Sequence, residues 1–239
     1  MTKIGTLYGL GVGPGDPELI TVKAFRLLQQ TPVIAYPKKR MGSKSYAHQI
    51  AEMYVQPAAG NKEMLGLVFP MTRDPEILER EWNNTVELVW ERLSEGKDVA
   101  FVTEGDPMFY STFIHMMRVM QEEHPEVPIV TVPGVSSFLG AASRFNLPLA
   151  DGDEQIGIIP ATEDKEGMRR AIESHDCVIF LKVAKVLPMI IGLLKEMNLV
   201  DKAAVATKVT SSEEMVWTDV RELERAELSY LTLMVVKKS

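Results

Sequence analysis

The sequence predicts an α/β protein with a mostly parallel N-terminal sheet, a mixed C-terminal sheet and helices on the faces. Three observations carry this. Short apolar runs alternate with amphipathic helical stretches, the rhythm of strand-helix-strand units. Several of these runs end in Gly/Pro-rich loops that restart directly as helices, as the crossover connections of parallel strands do. The segment NLPLADGD at 146–153 gathers turn formers in mid-chain, dividing it into domains 1–147 and 148–239.

In chain order, Leu7–Val12 reads as the first strand. Asp16 and Pro17 then start a helix over Glu18–Gln29, the carboxylate as cap and the proline in the first turn. Val33–Tyr36 is a strand, Ser45–Met53 a short helix and Val68–Phe69 a brief strand. The helix Pro75–Ser94 is stopped by Gly96. Strand Val99–Thr103, helix Met108–Glu122, strand Ile129–Val132 and helix Ser136–Arg144 complete the first half. Beyond the boundary, Gln155–Pro160, Val178–Leu181, Ala203–Thr207, Met215–Trp217 and Leu231–Val236 read as strands. Helices Lys165–Ser174 and Leu187–Met197 lie between the early ones, and the chain closes in an antiparallel hairpin.

Composition narrows the function classes. With 46% hydrophobic and 25% charged residues, the 239-residue chain has an ordinary globular balance. A net charge of −7 argues against a general nucleic-acid surface, which needs clustered Lys/Arg facing phosphate. No uncharged apolar run of about 18 residues occurs, and the N-terminus lacks the basic-then-apolar order of a signal peptide. These readings, with a single cysteine, Cys177, in a strand-like apolar run, predict a soluble cytoplasmic protein without a disulfide framework.

Thr6–Thr21, TLYGLGVGPGDPELIT, is a strand that breaks into glycines and prolines before a helix, a loop suited to bringing bare backbone against a ligand. It is not a dinucleotide fingerprint. Counted from Gly9 or Gly11, the third glycine of GxGxxG falls on Pro14 or Asp16, and the next strand leads into Lys38, Lys39 and Arg40 with no ribose-binding carboxylate. One such loop can simply turn the chain, but two more follow strands in the same half: TEGDPMFY at 103–110 and VPGVSSF at 132–138. Asp106 and the serines 136 and 137 are each explicable as helix caps. Together the three loops favour a cleft at the C-terminal ends of parallel strands, where open α/β sheets bind ligands.

GVGPGDPELIT, VTEGDPMFYSTF and VPGVSSF resemble the tetrapyrrole (precorrin) methylases, and the resemblance continues through FLKVAKVLPMI at 180–190 and YLTLMVV at 230–236. TEGDPMFYSTF and KVAKVLP most resemble the precorrin-2 or cobalt-factor-II C20-methyltransferase branch of cobalamin (vitamin B12) biosynthesis; other branches have GGDP where this chain has EGDP. The resemblance implies a two-domain tetrapyrrole-methylase-like fold, usually a homodimer, that binds S-adenosylmethionine as methyl donor in the cleft between domains. By position it implies cofactor contacts at Pro14, Gly105, Asp106, Phe109, Ser136, Ser137, Leu181, Val209, Thr210, Thr232 and Leu233. Val209 stands where the family often has glycine. Glu104 and Tyr110 are the candidate catalytic polar groups, and the resemblance itself fixes no base.

Methyl transfer from a sulfonium to an electron-rich ring carbon asks mainly for alignment and exclusion of water. It needs no protein-bound metal, and His48, His115, His124 and His175 lie apart in sequence. His115 is read as structural, and Met108, Met116, Met117 and Met120 as core filling. The tetrapyrrole partner carries several carboxylates, for which Lys38, Lys39, Arg40 and Lys44 are candidate substrate-binding residues, with Arg73 and Arg118 as further cations; a solvated loop explains the same charges. The alternatives are a methylase of another precorrin ring carbon, a diphthine-synthase-like methylase, and a nucleotide-binding interaction module without turnover.

Overall fold

A computed structural model describes residues 3–40, 42–55, 62–70, 72, 74–223 and 228–239. The chain forms two compact units, Met1–Ser136 and Ser137–Ser239.

The first unit is built on a five-stranded sheet of order β3-β2-β4-β1-β5, whose pairings are all parallel. The strands are β1 (Leu7–Gly11), β2 (Val33–Lys38), β3 (Glu63–Val68), β4 (Val99–Thr103) and β5 (Ile129–Val132). Its helices are α1 (Val22–Gln30), α2 (Tyr46–Glu52), α3 (Pro75–Ser94) and α4 (Phe113–Glu123). A parallel sheet is covered on both faces, and β4 makes this visible. Val99 and Phe101 join a core with Val86, Val89 and Leu93 of α3 and Phe113, Met116 and Met120 of α4. Ala100 and Val102 join another with Ala24 and Leu28 of α1 and Ala47, Ile50 and Ala51 of α2.

The second unit opens with α5 (Ser137–Phe145) and holds β6 (Ile156–Pro160), α6 (Lys165–Ser174), β7 (Cys177–Leu181), α7 (Leu187–Glu196), β8 (Ala203–Thr207), β9 (Met215–Trp217) and β10 (Thr232–Lys237). Its sheet, β6-β7-β10-β8-β9, is mixed, as expected: β6 and β7 are parallel, and β10 runs antiparallel to both β7 and β8. The expected closing hairpin is corrected. β8 and β9 form the hairpin, while the last strand inserts at the sheet centre. Its run TLMVVK is buried along its whole length, which an edge position would not provide.

Three boundaries also moved. The first helix begins at Val22, because Thr21 Oγ1 caps it by accepting from the Ala24 N–H (3.2 Å), while Asp16 caps a separate 3-10 turn over Pro17–Leu19. β3 is six residues long rather than two: Gly66 interrupts its apolar run, so its sequence carries little strand signal, yet it pairs with β2 over its full length. The helix expected from Met108 starts at Phe113.

Candidate functional site

The three glycine-containing loops leave β1, β4 and β5, which are neighbours in the sheet, at one edge. There they are locked together. The Val12 N–H donates to the Thr103 carbonyl (3.0 Å) and the Gly105 N–H to the Gly13 carbonyl (2.8 Å), so the first two loops continue as a bridge beyond the strands. Asp106 ties in the third: Oδ2 accepts from the Gly134 N–H (3.0 Å) and Oδ1 from the Met108 N–H (2.8 Å). The contact is backbone on backbone. A Cβ on Gly134 would lie 2.1 Å from the Gly105 carbonyl oxygen and 2.7 Å from Gly11 Cα. Gly105 itself is different: it has φ +67°, and a Cβ there would have Ser136 Cα, at 3.9 Å, as its nearest neighbour, leaving a cradle through which a ligand can approach the backbone.

Asp106 therefore ties two loops together rather than capping a helix. The Phe109 N–H donates to the Asp106 carbonyl and Tyr110 takes φ +50°, so the chain turns through Met108–Ser111 instead of coiling. The N-cap of α4 is Thr112, whose side chain makes no capping bond; Ser111 Oγ, one residue earlier, accepts from the Phe113 N–H (3.1 Å) and lies 2.9 Å from Thr103 Oγ1. Pro14 is buried, its carbonyl accepting from the Tyr46 hydroxyl (3.3 Å). Glu104 and Phe109 are half-buried; Tyr110 is exposed and packs edge-on against Phe109 (4.7 Å). Ser136 and Ser137 are half-buried, Ser137 opening α5.

In the second unit, all five candidates lie at one end of the paired strands. Leu233 pairs with Leu181, and Thr232 with Thr207 at the end of β8, just before Val209 and Thr210. The pairing of β7 with β10 stops there because Lys182 turns left-handed (φ +57°). Thr232 Oγ1 donates to the Ser229 carbonyl (2.6 Å), so its buried hydroxyl is committed within the protein. Val209 is buried between Lys208 (φ +46°) and Thr210 (φ +65°), and the Thr210 N–H donates to Glu214 Oε1 (2.9 Å). Left-handed backbone at non-glycine residues, worst for β-branched Thr, costs roughly 1–3 kcal/mol each and gathers at functional sites. Among the described residues six non-glycines have positive φ. Asn146 directly follows α5 and Asn198 lies just past the cap of α7, places where asparagine is common; Tyr110, Lys182, Lys208 and Thr210 lie at or beside candidate positions.

Of the basic cluster, Lys38 ends β2 half-buried, its ammonium 5.2 Å from the Tyr36 ring centre, while Lys39, Arg40 and Lys44 are exposed. Arg73 lies outside the described residues, and Arg118 is exposed on α4. Met116 and Met120 fill the core and Met117 packs against it, but Met108 is 48% exposed because its turn precedes the helix. The histidines are structural in a way their spacing concealed: His48, His115 and His124 stack on Tyr36, Trp82 and Trp90. Burial, with Arg118 adding to it, pushes the His115 imidazole below its usual range. Glu87, Glu123 and His124 do come together on α3 and at the end of α4, with possible ligand atoms within 4.8 Å of one another. Cys177 is buried in β7, where burial raises its thiol pKa. No helix among the described residues is long and apolar enough to cross a membrane.

Sequence reading had missed Gly11 and Gly134 as the contact points of the loops. Their signal was present, a glycine closing one strand and a Pro-Gly after another, but the partners that demand glycine lie 29 to 123 residues away in the chain.

Comparison with known proteins agrees with this architecture. The family model described as Tetrapyrrole (Corrin/Porphyrin) Methylases matches residues 6–224. The probable cobalt-precorrin-2 C(20)-methyltransferase of Methanocaldococcus jannaschii is 34% identical over 97% of this chain and 96% of its own. The precorrin-2 C(20)-methyltransferase of Sinorhizobium sp is 30% identical over 98% and 95%. Among solved structures, a cobalt precorrin-4 methyltransferase, a cobalamin biosynthetic enzyme, aligns with a TM-score of 0.72 at 23% identity, over 97% of this chain and 94% of that one. A parallel sheet ending in three interlocked glycine loops, a mixed second sheet and a family match across most of the length lead to one conclusion: the chain belongs to the tetrapyrrole methylases.

Proposed function

We propose that the protein is an S-adenosylmethionine-dependent C-methyltransferase acting at C20 of precorrin-2 or its cobalt form, in cobalamin biosynthesis. The observation that carries the reading is the junction of Gly11, Gly105 and Gly134, which leaves the Gly105 backbone open to close approach at the end of β4. Names of two full-length relatives supply the position on the ring. The donor brings an electrophilic methyl on sulfur; the S–CH3 electron pair returns to sulfur as the ring's π electrons form the new C–C bond, and the C20 hydrogen leaves as a proton.

The chain's own residues have four tasks in this reading. The family resemblance assigns to the donor Pro14, Gly105, Asp106, Phe109 and Ser136 of the first unit, and Ser137, Leu181, Val209, Thr210, Thr232 and Leu233 of the second. Thr232 and Val209 act through backbone, since one hydroxyl is spent internally and the other side chain is apolar and buried. Glu104 and Tyr110, on the loop after β4, orient the macrocycle, and the Glu104 carboxylate receives the proton. Lys38, Lys39, Arg40 and Lys44 meet its carboxylates. We infer a cytoplasmic homodimer from the family resemblance and the single buried cysteine. Titration calorimetry tests the donor site: S-adenosylhomocysteine binds at about micromolar Kd and NAD does not. Binding of NAD without S-adenosylhomocysteine overturns the reading.

A further inference from the structure

The C-terminal end of β2 carries a hollow of about 410 Å³, within the range of small-molecule pockets. Its walls include Tyr36, Lys38, Lys44, His48 and Glu52. His48 stacks on Tyr36 within this lining, 4.4 Å between ring centres and 26° between planes. Lys38 reaches in because β3 has Gly66 opposite Tyr36: a Cβ there would lie 2.6 Å from Lys38 Cε. The two serines of the hollow are committed. Ser43 Oγ donates to the Arg40 carbonyl (2.8 Å), and Ser45 Oγ accepts from the His48 N–H (3.3 Å). Two lysines, one carboxylate, Glu52, and a stacked Tyr36–His48 pair thus line one hollow. The same helix that carries His48 is tied to the first glycine loop by Tyr46 and Pro14. Lys39 and Arg40, although adjacent in sequence, do not line the hollow.

We propose that this hollow seats one carboxylate arm of the tetrapyrrole substrate, with Lys38 and Lys44 as contact residues and Lys39 and Arg40 acting from outside it through their long-range field. This rests on the function proposed above and divides its basic cluster into two roles. The division has a physical signature. Exposed charges acting over about 10 Å are screened at moderate salt, whereas charges in contact with a partly desolvated anion are screened much less. A methionyl carboxylate of the donor is the other source of the same chemistry, and the test must separate them.

The experiment uses full-length protein and two double variants, Lys38→Gln/Lys44→Gln and Lys39→Gln/Arg40→Gln. Each is titrated with S-adenosylhomocysteine and assayed for tetrapyrrole KM at about 0.05 M and 0.5 M salt, on the two sides of the screening transition. The first variant is expected to raise KM about ten-fold at both salts with donor affinity unchanged. The second raises KM several-fold at low salt, an effect that disappears at high salt. Equal effects that both vanish at high salt overturn the proposal, as does a loss of donor affinity in the first variant, which would give the hollow to the donor. A parent protein that binds S-adenosylhomocysteine but no precorrin-2, with or without cobalt, refutes the proposed function and the inference with it.

Discussion

Replacing Gly134 by Ala tests the loop junction at its tightest point. The added methyl would sit 2.1 Å from the Gly105 carbonyl oxygen and 2.7 Å from Gly11 Cα, both backbone atoms of other loops. No side chain can rotate aside, so the loops must separate, and the Asp106 to Gly134 hydrogen bond stretches with them. Overpacking of this kind costs typically 1–3 kcal/mol, and a clash with fixed backbone belongs at the upper end, about 3 kcal/mol. For a chain of this size that lowers Tm by about 6–12 °C. Calorimetric melting and S-adenosylhomocysteine titration provide the assay, with Gly192→Ala in α7 as control. A Cβ there meets nothing within 4 Å, so that variant gains about 0.5–1 kcal/mol from helix propensity. A Gly134→Ala protein with parental Tm and donor affinity refutes the junction.

Gly105→Val reduces S-adenosylhomocysteine affinity more than Asp106→Asn. The valine meets left-handed backbone strain and fills the open cradle, whereas asparagine retains one acceptor oxygen; comparable calorimetric losses would contradict this. His115 binds its proton less readily folded than unfolded, so its contribution to stability is present above about pH 6.5 and is lost as pH falls through the lower folded pKa. Urea unfolding at pH 7.5 and 5.5 shows a smaller pH effect in His115→Phe, which keeps a ring on Trp82. Glu154, held at a pKa of about 2 by Lys237, the Asp151 N–H and Ser239, contributes stability that is present above the usual carboxylate pKa and lost as pH falls toward 2. Lys237→Met diminishes that acid-dependent loss when urea unfolding is compared at about pH 5.5 and pH 2.5.

The fold was legible wherever a strand's burial was written in its composition. β4, β7, β8 and β10 are apolar runs buried along their whole length, and each was found with boundaries within a residue or so. β3 was largely missed because its pairing, not its residues, makes it a strand. The place of β10 at the centre of the sheet was equally hidden, since local pattern carries no strand order. At the candidate site the loops were visible from their glycines and prolines, but the reasons for individual residues were not. Gly105 has open space around it and a left-handed φ, whereas the steric demand within the protein falls on Gly11 and Gly134. Asp106 looked like a helix cap because the sequence cannot show Gly134 waiting 28 residues on. Likewise, four separate histidines gave no sign that three would lie against aromatic rings.

The central claim is tested most directly by locating the transferred methyl. The full-length protein is incubated with methyl-labelled S-adenosylmethionine and precorrin-2, in metal-free and cobalt-containing forms, and the product is examined by carbon NMR. The account predicts label on C20 of at least one of the two, with S-adenosylhomocysteine as co-product. Label on another ring carbon, or no transfer to either form by protein that binds S-adenosylhomocysteine, contradicts it.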